Sequence, residues 1–318
     1  MSHEYSGVMP GNAANVLDQA AEVNITSLWK RSAVATLWSH NEYFCEIFNK
    51  LLFRRDQIKP EDVSSATKTE IAWMRLSEDA GFELKNAGNL CKEANGADYH
   101  ALLGLENMID ADPLYAFRVM LLDVLNYGRQ IGAIEQEHAE AVVEKNPPPD
   151  EQEPPYLPGI EQLKSFRKGD KIKKAFTMGL YYGKDPWDGP THLYGMMDSP
   201  HTADWGKDYP GGDYPSYIVD VRRIPEEILN QFSPELKAFL GFIKYEGEED
   251  GKLGVFVSQN KEVFSSVPPI VMNALVEVTG SPVLEELMSM KEFATPDGGT
   301  NVCAGLEYLA GREDGKLT

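Results

Sequence analysis

Three cysteines in 318 residues, Cys45, Cys91 and Cys303, are odd in number and far apart. They exclude a disulfide framework, and without a CxxC pair they exclude a zinc ribbon. No run approaches the roughly 18–20 apolar residues needed to span a bilayer. The first eleven residues lack a basic stretch followed by an apolar one, so no secretory signal is visible. These absences predict a soluble protein of a reducing, cytoplasmic compartment with no membrane partner. Positive charge is scarce too: 30 Lys+Arg stand against 50 Asp+Glu, a net charge of −20. A surface this acidic repels a phosphate backbone at long range, which disfavours DNA unless a local basic patch overrides the field. Walker A, dinucleotide, GxSxG and HExxH motifs are all missing.

What is present suits a mixed α/β protein. Hydrophobic residues make up 42% and charged residues 25%, and the chain is long enough to bury a large core. A helical pattern over 27–53 places Phe44, Ile47, Phe48, Leu51 and Leu52 on one face, and Pro60 ends it. Residues 69–76, 99–105, 175–182 and 217–221 read as strands. A helix is expected from Pro113 to beyond His138, with Phe117, Met120, Leu121, Val124 and Leu125 as its core face. Residues 147–158 carry six prolines among acidic residues, a stiff solvated insertion. Residues 183–216 read as a long loop. Helices are expected at 226–232, 234–245, 261–264, 269–278, 282–290 and 302–310. The predicted layout is an N-terminal extension (1–24), an α/β domain (25–224) and a helical C-terminal region (225–318).

Two further features admit two readings each. The stretch holding Lys164, Arg167, Lys168, Lys171, Lys173 and Lys174 either contacts phosphate or is a solvated face. Tyr181, Tyr182, Gly183, Trp187, Asp188, Gly189 and Pro190 either line a cleft or form a rigid turn packed by its own aromatics. His192 and His201 read as surface histidines.

The stretch most suggestive of chemistry is 99–108 (YHALLGLENM), an apolar run that ends on a carboxylate. On a strand, Glu106 and Met108 share a face. Four further stretches accompany it: 41–53 (NEYFCEIFNKLLF), 178–194 (MGLYYGKDPWDGPTHLY), 217–222 with 240–245 (YIVDVR, LGFIKY), and 301–313 (NVCAGLEYLAGRE). In this order the chain resembles the PD-(D/E)XK nuclease family of transposases, related to recombination-promoting nucleases. YYG-x-x-x-WDGP is the most specific element, and Glu106, Asn107 and Arg118 match.

The resemblance implies a restriction-endonuclease-like core, a mixed sheet flanked by helices, and Mg²⁺-dependent DNA cleavage. The family's catalytic Asp, Glu and Gln (or Lys) fall on Asn89, Glu106 and Met108, with Lys92 fitting the basic residue after the Asp position. Asn offers a neutral carbonyl where a metal wants a carboxylate, and Met offers no proton or charge. Glu106 is then the one retained metal ligand, or a strand-end residue held by Arg118. Asp79, Glu83, Asp98, Asp110 or Asp112 could supply a relocated carboxylate. Three functions follow as expectations. One is a degenerate nuclease-fold protein that binds nucleic acid or a protein partner. Another is an active endonuclease with Mg²⁺ as cofactor. The third is an acidic structural or self-associating protein of a mobile element or its host, or a nucleic-acid mimic.

Overall fold

The computed structural model describes residues 32–65, 73–75, 81–83, 90–96, 99–145, 166–197, 212–248 and 251–311. The proline-rich stretch 147–158, the N-terminal extension, Asn89, Lys164 and His201 lie outside the described residues.

The N-terminal helical pattern resolves into α1 (Ala33–Ser39) and α2 (Asn41–Phe48), joined at an extended His40 and followed by a turn of π-helix at Asn49–Phe53. Phe44, Ile47, Phe48 and Leu51 are buried, as their spacing requires. The N-terminus of α1 is capped across the fold. The Glu277 carboxylate accepts from Ser32 Oγ (2.6 Å), Ala33 N (2.5 Å) and Val34 N (3.1 Å), so orphan amides of the first turn are satisfied.

Five strands form the main sheet: β1 (Val63–Ser65), then β4 (Leu90–Gly96), β5 (Tyr99–Met108), β6 (Lys174–Tyr181) and β7 (Tyr217–Asp220), in that spatial order. A separate ribbon pairs β2 (Trp73–Arg75) with β3 (Gly81–Glu83). β1, β4 and β5 are antiparallel neighbours, whereas β5, β6 and β7 run parallel. A parallel step demands a crossover, which α3 (Tyr115–Lys145) supplies between β5 and β6.

The two sheet faces differ in character. Leu103 and Leu105 of β5, with Met178 and Leu180 of β6, face the principal core. That core continues without a break into the helical region, through α5 (Pro234–Tyr245), α8 (Pro269–Thr279) and α10 (Val302–Ala310). Trp38 meets Phe239 edge to face there, with centroids 5.8 Å apart. Three of the expected C-terminal helices begin with proline at the first turn, where its missing N–H costs nothing. One helix, Lys252–Gln259, was not legible as a separate element.

Lys92 takes a structural place, and the expected core face of α3 needs correction. Lys92 sits in the register opposite Leu103, so it points to the principal core and away from Glu106. It is 1% exposed, and its ammonium donates to Ser39 O (2.6 Å) and Asn41 Oδ1 (2.8 Å) at the α1–α2 junction. It thereby satisfies a carbonyl at the end of α1, and burial pushes its pKa down to about 8. The core face of α3 also differs. Tyr115, Ala116, Val119, Leu122, Asp123 and Asn126 are buried together with the expected Leu121, while Val124 is 53% exposed. Phe117, Leu121 and Leu125 form a satellite cluster with Leu122. Apolar periodicity set the face partly askew, because the inner face carries two polar residues. Asp123 accepts from Thr177 Oγ1 (3.1 Å) and from the Tyr214 hydroxyl (2.5 Å).

Candidate functional site

Alternation along β5 points Gly104, Glu106 and Met108 at α3. The chain then turns through 109–114. Asp112 Oδ1 accepts from Leu114 N (2.8 Å) and Asp112 O from Tyr115 N (3.0 Å), which starts α3 directly beside the strand end. Arg118, one turn after Tyr115, therefore reaches Glu106, and Tyr115 lies near enough for the Glu106 charge to act on its phenol.

Glu106 is 6% exposed. Arg118 Nε lies 3.0 Å from Glu106 Oε1, and Arg118 Nη1 lies 2.5 Å from Asp112 Oδ2, so one guanidinium serves two carboxylates. The Nε contact is an ion pair without hydrogen-bond alignment. Glu106 Oε2 and the fully buried Tyr115 hydroxyl have no hydrogen-bond partner among the described residues. Burial pushes the Glu106 carboxyl up to about 6; Arg118 opposes this and Asp112 adds to it. Burial, and then the neighbouring Glu106, raise the Tyr115 phenol well above its ordinary value.

Gly179 stands opposite Glu106 in the β5–β6 ladder. A Cβ there would lie 2.5 Å from the Tyr115 hydroxyl and 2.7 Å from Met108 Cε, so only glycine lets the tyrosine in. Met108 is 6% exposed and packs with Tyr115, Val119 and Tyr181. Asn107 points the other way. Its Oδ1 accepts from the Tyr182 hydroxyl (2.7 Å), which itself accepts from Trp38 Nε1 (3.2 Å).

The loop after β6 folds over this end of the sheet. Trp187 is edge-on to Tyr181 (5.2 Å) and to Tyr115 (5.8 Å). Its indole donates to Gly189 O (2.7 Å), and its amide donates to Asp220 Oδ2 (3.3 Å). Gly183 and Gly189 lie hard against the Tyr181 and Trp187 rings, where side chains would collide. Asp188 is exposed and Pro190 half-buried. The loop is thus a turn packed by its own aromatics, and one of those aromatics closes over Tyr115.

The basic stretch is divided. Lys173 pairs with Glu93, and Asp170 approaches His138 Nε2 at 3.6 Å; Arg167, Lys168, Lys171 and Lys174 are exposed. Arg222 is consumed structurally, donating to Tyr182 O, Ile243 O and Glu246 O and pairing with Glu246.

The sequence reading brought forward Glu106, Met108 and Arg118, and the structure gathers all three. Of the alternative carboxylates, Asp112 shares Arg118 with Glu106, while Asp79 and Asp98 lie outside the described residues. Tyr115, Gly179 and Asp123 were missed. A glycine inside a strand is the one local signal that could have marked Gly179.

Mg²⁺ takes hard oxygen ligands, usually one or two carboxylates completed by water and phosphate oxygens. Here the two nearby carboxylates already face a guanidinium, and no group of three or more His, Cys, Asp or Glu placed to hold a metal occurs among the described residues. The described residues do not fit a divalent cation. Among them, no helix is long and apolar enough to cross a membrane. Comparisons with known proteins give no matching family model, no matching curated protein and no matching solved structure.

Proposed function

We propose that the chain is a PD-(D/E)XK-like protein, related to the nuclease-type transposases, that has lost phosphodiester cleavage and acts by binding. The mixed five-stranded sheet with helices on both faces supports this reading, as does Glu106 on the central strand with Arg118 on the helix that follows. The observation that carries it is Met108. The position where an amide or ammonium should meet the phosphate holds a thioether, buried between Tyr115, Val119 and Tyr181. No proton donor or charge reaches a substrate from there.

The net charge of −20 favours a basic protein over DNA as the bound partner. One observation favours the alternative of residual Mg²⁺-dependent cleavage: Glu106 keeps an oxygen without a hydrogen-bond partner among the described residues. Incubating the folded protein with supercoiled plasmid in Mg²⁺ and in Mn²⁺, beside Glu106→Ala, separates the two. The expected result is intact plasmid throughout. Nicking that disappears in Glu106→Ala overturns the proposal.

A further inference from the structure

We infer that the turn after β5 and the loop after β6 form a docking surface for a cationic, amphipathic polypeptide segment, one with lysines or arginines flanking an apolar side chain. The inference rests on the reading of the protein as one that acts by binding a basic partner, and adds where that partner sits.

The turn 109–114 runs against the usual preference for burying the largest apolar groups. Its small residue, Ala111, packs inward on the cluster of Met108, Tyr115 and Tyr181, while Ile109 and Leu114 are 54% and 50% exposed. The loop after β6 adjoins this turn. Tyr182 N donates to Met108 O (2.8 Å), and a Cβ on Gly189 would lie 3.4 Å from Asp112 O.

Charge on this rim is one-sided. Asp110, Asp185 and Asp188 are exposed and have no ion-pair partner among the described residues. The cations beside them are already engaged: Arg118 with Glu106 and Asp112, Arg223 with Asp220, and Lys184 with Glu246 at 3.8 Å. The carboxylates of the loop act on a common group. Burial raises the Tyr181 phenol, and Asp220, Asp185 and Asp188 raise it further against Arg223. Unpaired negative charge beside exposed aliphatic side chains fits a partner of opposite sign with an apolar anchor, because the anchor excludes water while the surrounding charges set sign and approach. A phosphate backbone is repelled by the same three carboxylates. A second copy of this chain, equally acidic, would bring like charges together.

The test follows the fluorescence anisotropy of a labelled peptide alternating lysine and leucine as the folded full-length protein is added, beside a glutamate–leucine peptide and a DNA duplex. Wild type is expected to bind the cationic peptide alone, and more weakly as salt is raised. Neutralising the rim with Asp110→Asn, Asp185→Asn and Asp188→Asn is expected to weaken binding at least about tenfold, and Ile109→Ser with Leu114→Ser to weaken it by a similar factor. Glu285→Gln, Glu292→Gln and Glu307→Gln remove the same charge from exposed positions of the C-terminal region and are expected to cost less than about twofold. Asp110→Asn with Asp185→Asn serves if the triple rim variant does not fold. Equal losses in the two neutralised proteins would show attraction to bulk charge alone and overturn the inference. So would a wild type that does not bind the cationic peptide, DNA binding that the rim variants abolish, or a wild-type dimer that Ile109→Ser with Leu114→Ser dissociates. Any of these removes the docking surface and leaves the loss of cleavage standing, which the plasmid assay tests separately.

Discussion

Glu106 and Gly179 stand side by side on neighbouring parallel strands, and the side chain that Gly179 lacks is the space the Tyr115 hydroxyl fills. Tyr115 packs into that space, and Trp187 lies edge-on to its ring, 5.8 Å away.

Gly179→Ala is therefore an overpacking substitution. The new Cβ would lie 2.5 Å from the Tyr115 hydroxyl and 2.7 Å from Met108 Cε. A loss of about 1–3 kcal/mol is expected by denaturant unfolding. In a Tyr115→Phe background the loss should shrink without vanishing, because the hydroxyl is the nearest obstacle and the ring carbon and Met108 remain. Equal losses in both backgrounds would show that the hydroxyl is not what the glycine accommodates.

Two buried tyrosines should respond oppositely to loss of their hydroxyls. Tyr115→Phe removes a buried group without a hydrogen-bond partner and should leave stability unchanged or raise it by up to about 1 kcal/mol. Tyr182→Phe strips the partner from Asn107 Oδ1 and from Trp38 Nε1, and Trp38 is fully buried. A cost of about 1–3 kcal/mol is expected there. Matching values for the two variants would contradict the assigned hydrogen bonding.

Stability should depend on pH through Glu106. Its folded pKa is raised from 4.5 to about 6, so the folded state binds the extra proton between those values. Stability from this group is then fully present below about 4.5 and is lost as pH rises through 6, by roughly 2 kcal/mol. Glu106→Gln removes that dependence, so its stability relative to wild type should climb across pH 4.5 to 6 and level off above. A flat difference would mean the carboxyl is not buried as described.

Lys92 gives the opposite sign in a separate window. Its folded pKa is lowered from 10.5 to about 8, so its cost is fully present below 8 and is relieved as pH rises toward 10.5. Lys92→Met should flatten the rise in stability over that alkaline range. It should also cost some stability at pH 7, because Ser39 O and Asn41 Oδ1 lose a donor. An unchanged alkaline profile would place the ammonium in solvent.

The amino-acid sequence by itself determined the local elements with strong, uninterrupted patterns. The apolar runs of β5, β6 and β7 became neighbouring strands, and proline at the first turn marked α5, α8 and the helix Pro282–Ser289. The YYG-x-x-x-WDGP turn was legible because its glycines and aromatics interact within a few residues of one another. Only the tertiary structure decided which polar residues go inside. Asp123 and Asn126 lie on the buried face of α3, where periodicity had not put them. Asp123 is held by Tyr214, 91 positions away, and by Thr177, 54 away. Lys92 is buried by partners more than 50 residues earlier, and Gly179 is demanded by a tyrosine on a helix before it. Periodicity weighs each side chain by its own polarity. Burial is settled by partners that satisfy that polarity, and here those partners arrive from across the fold.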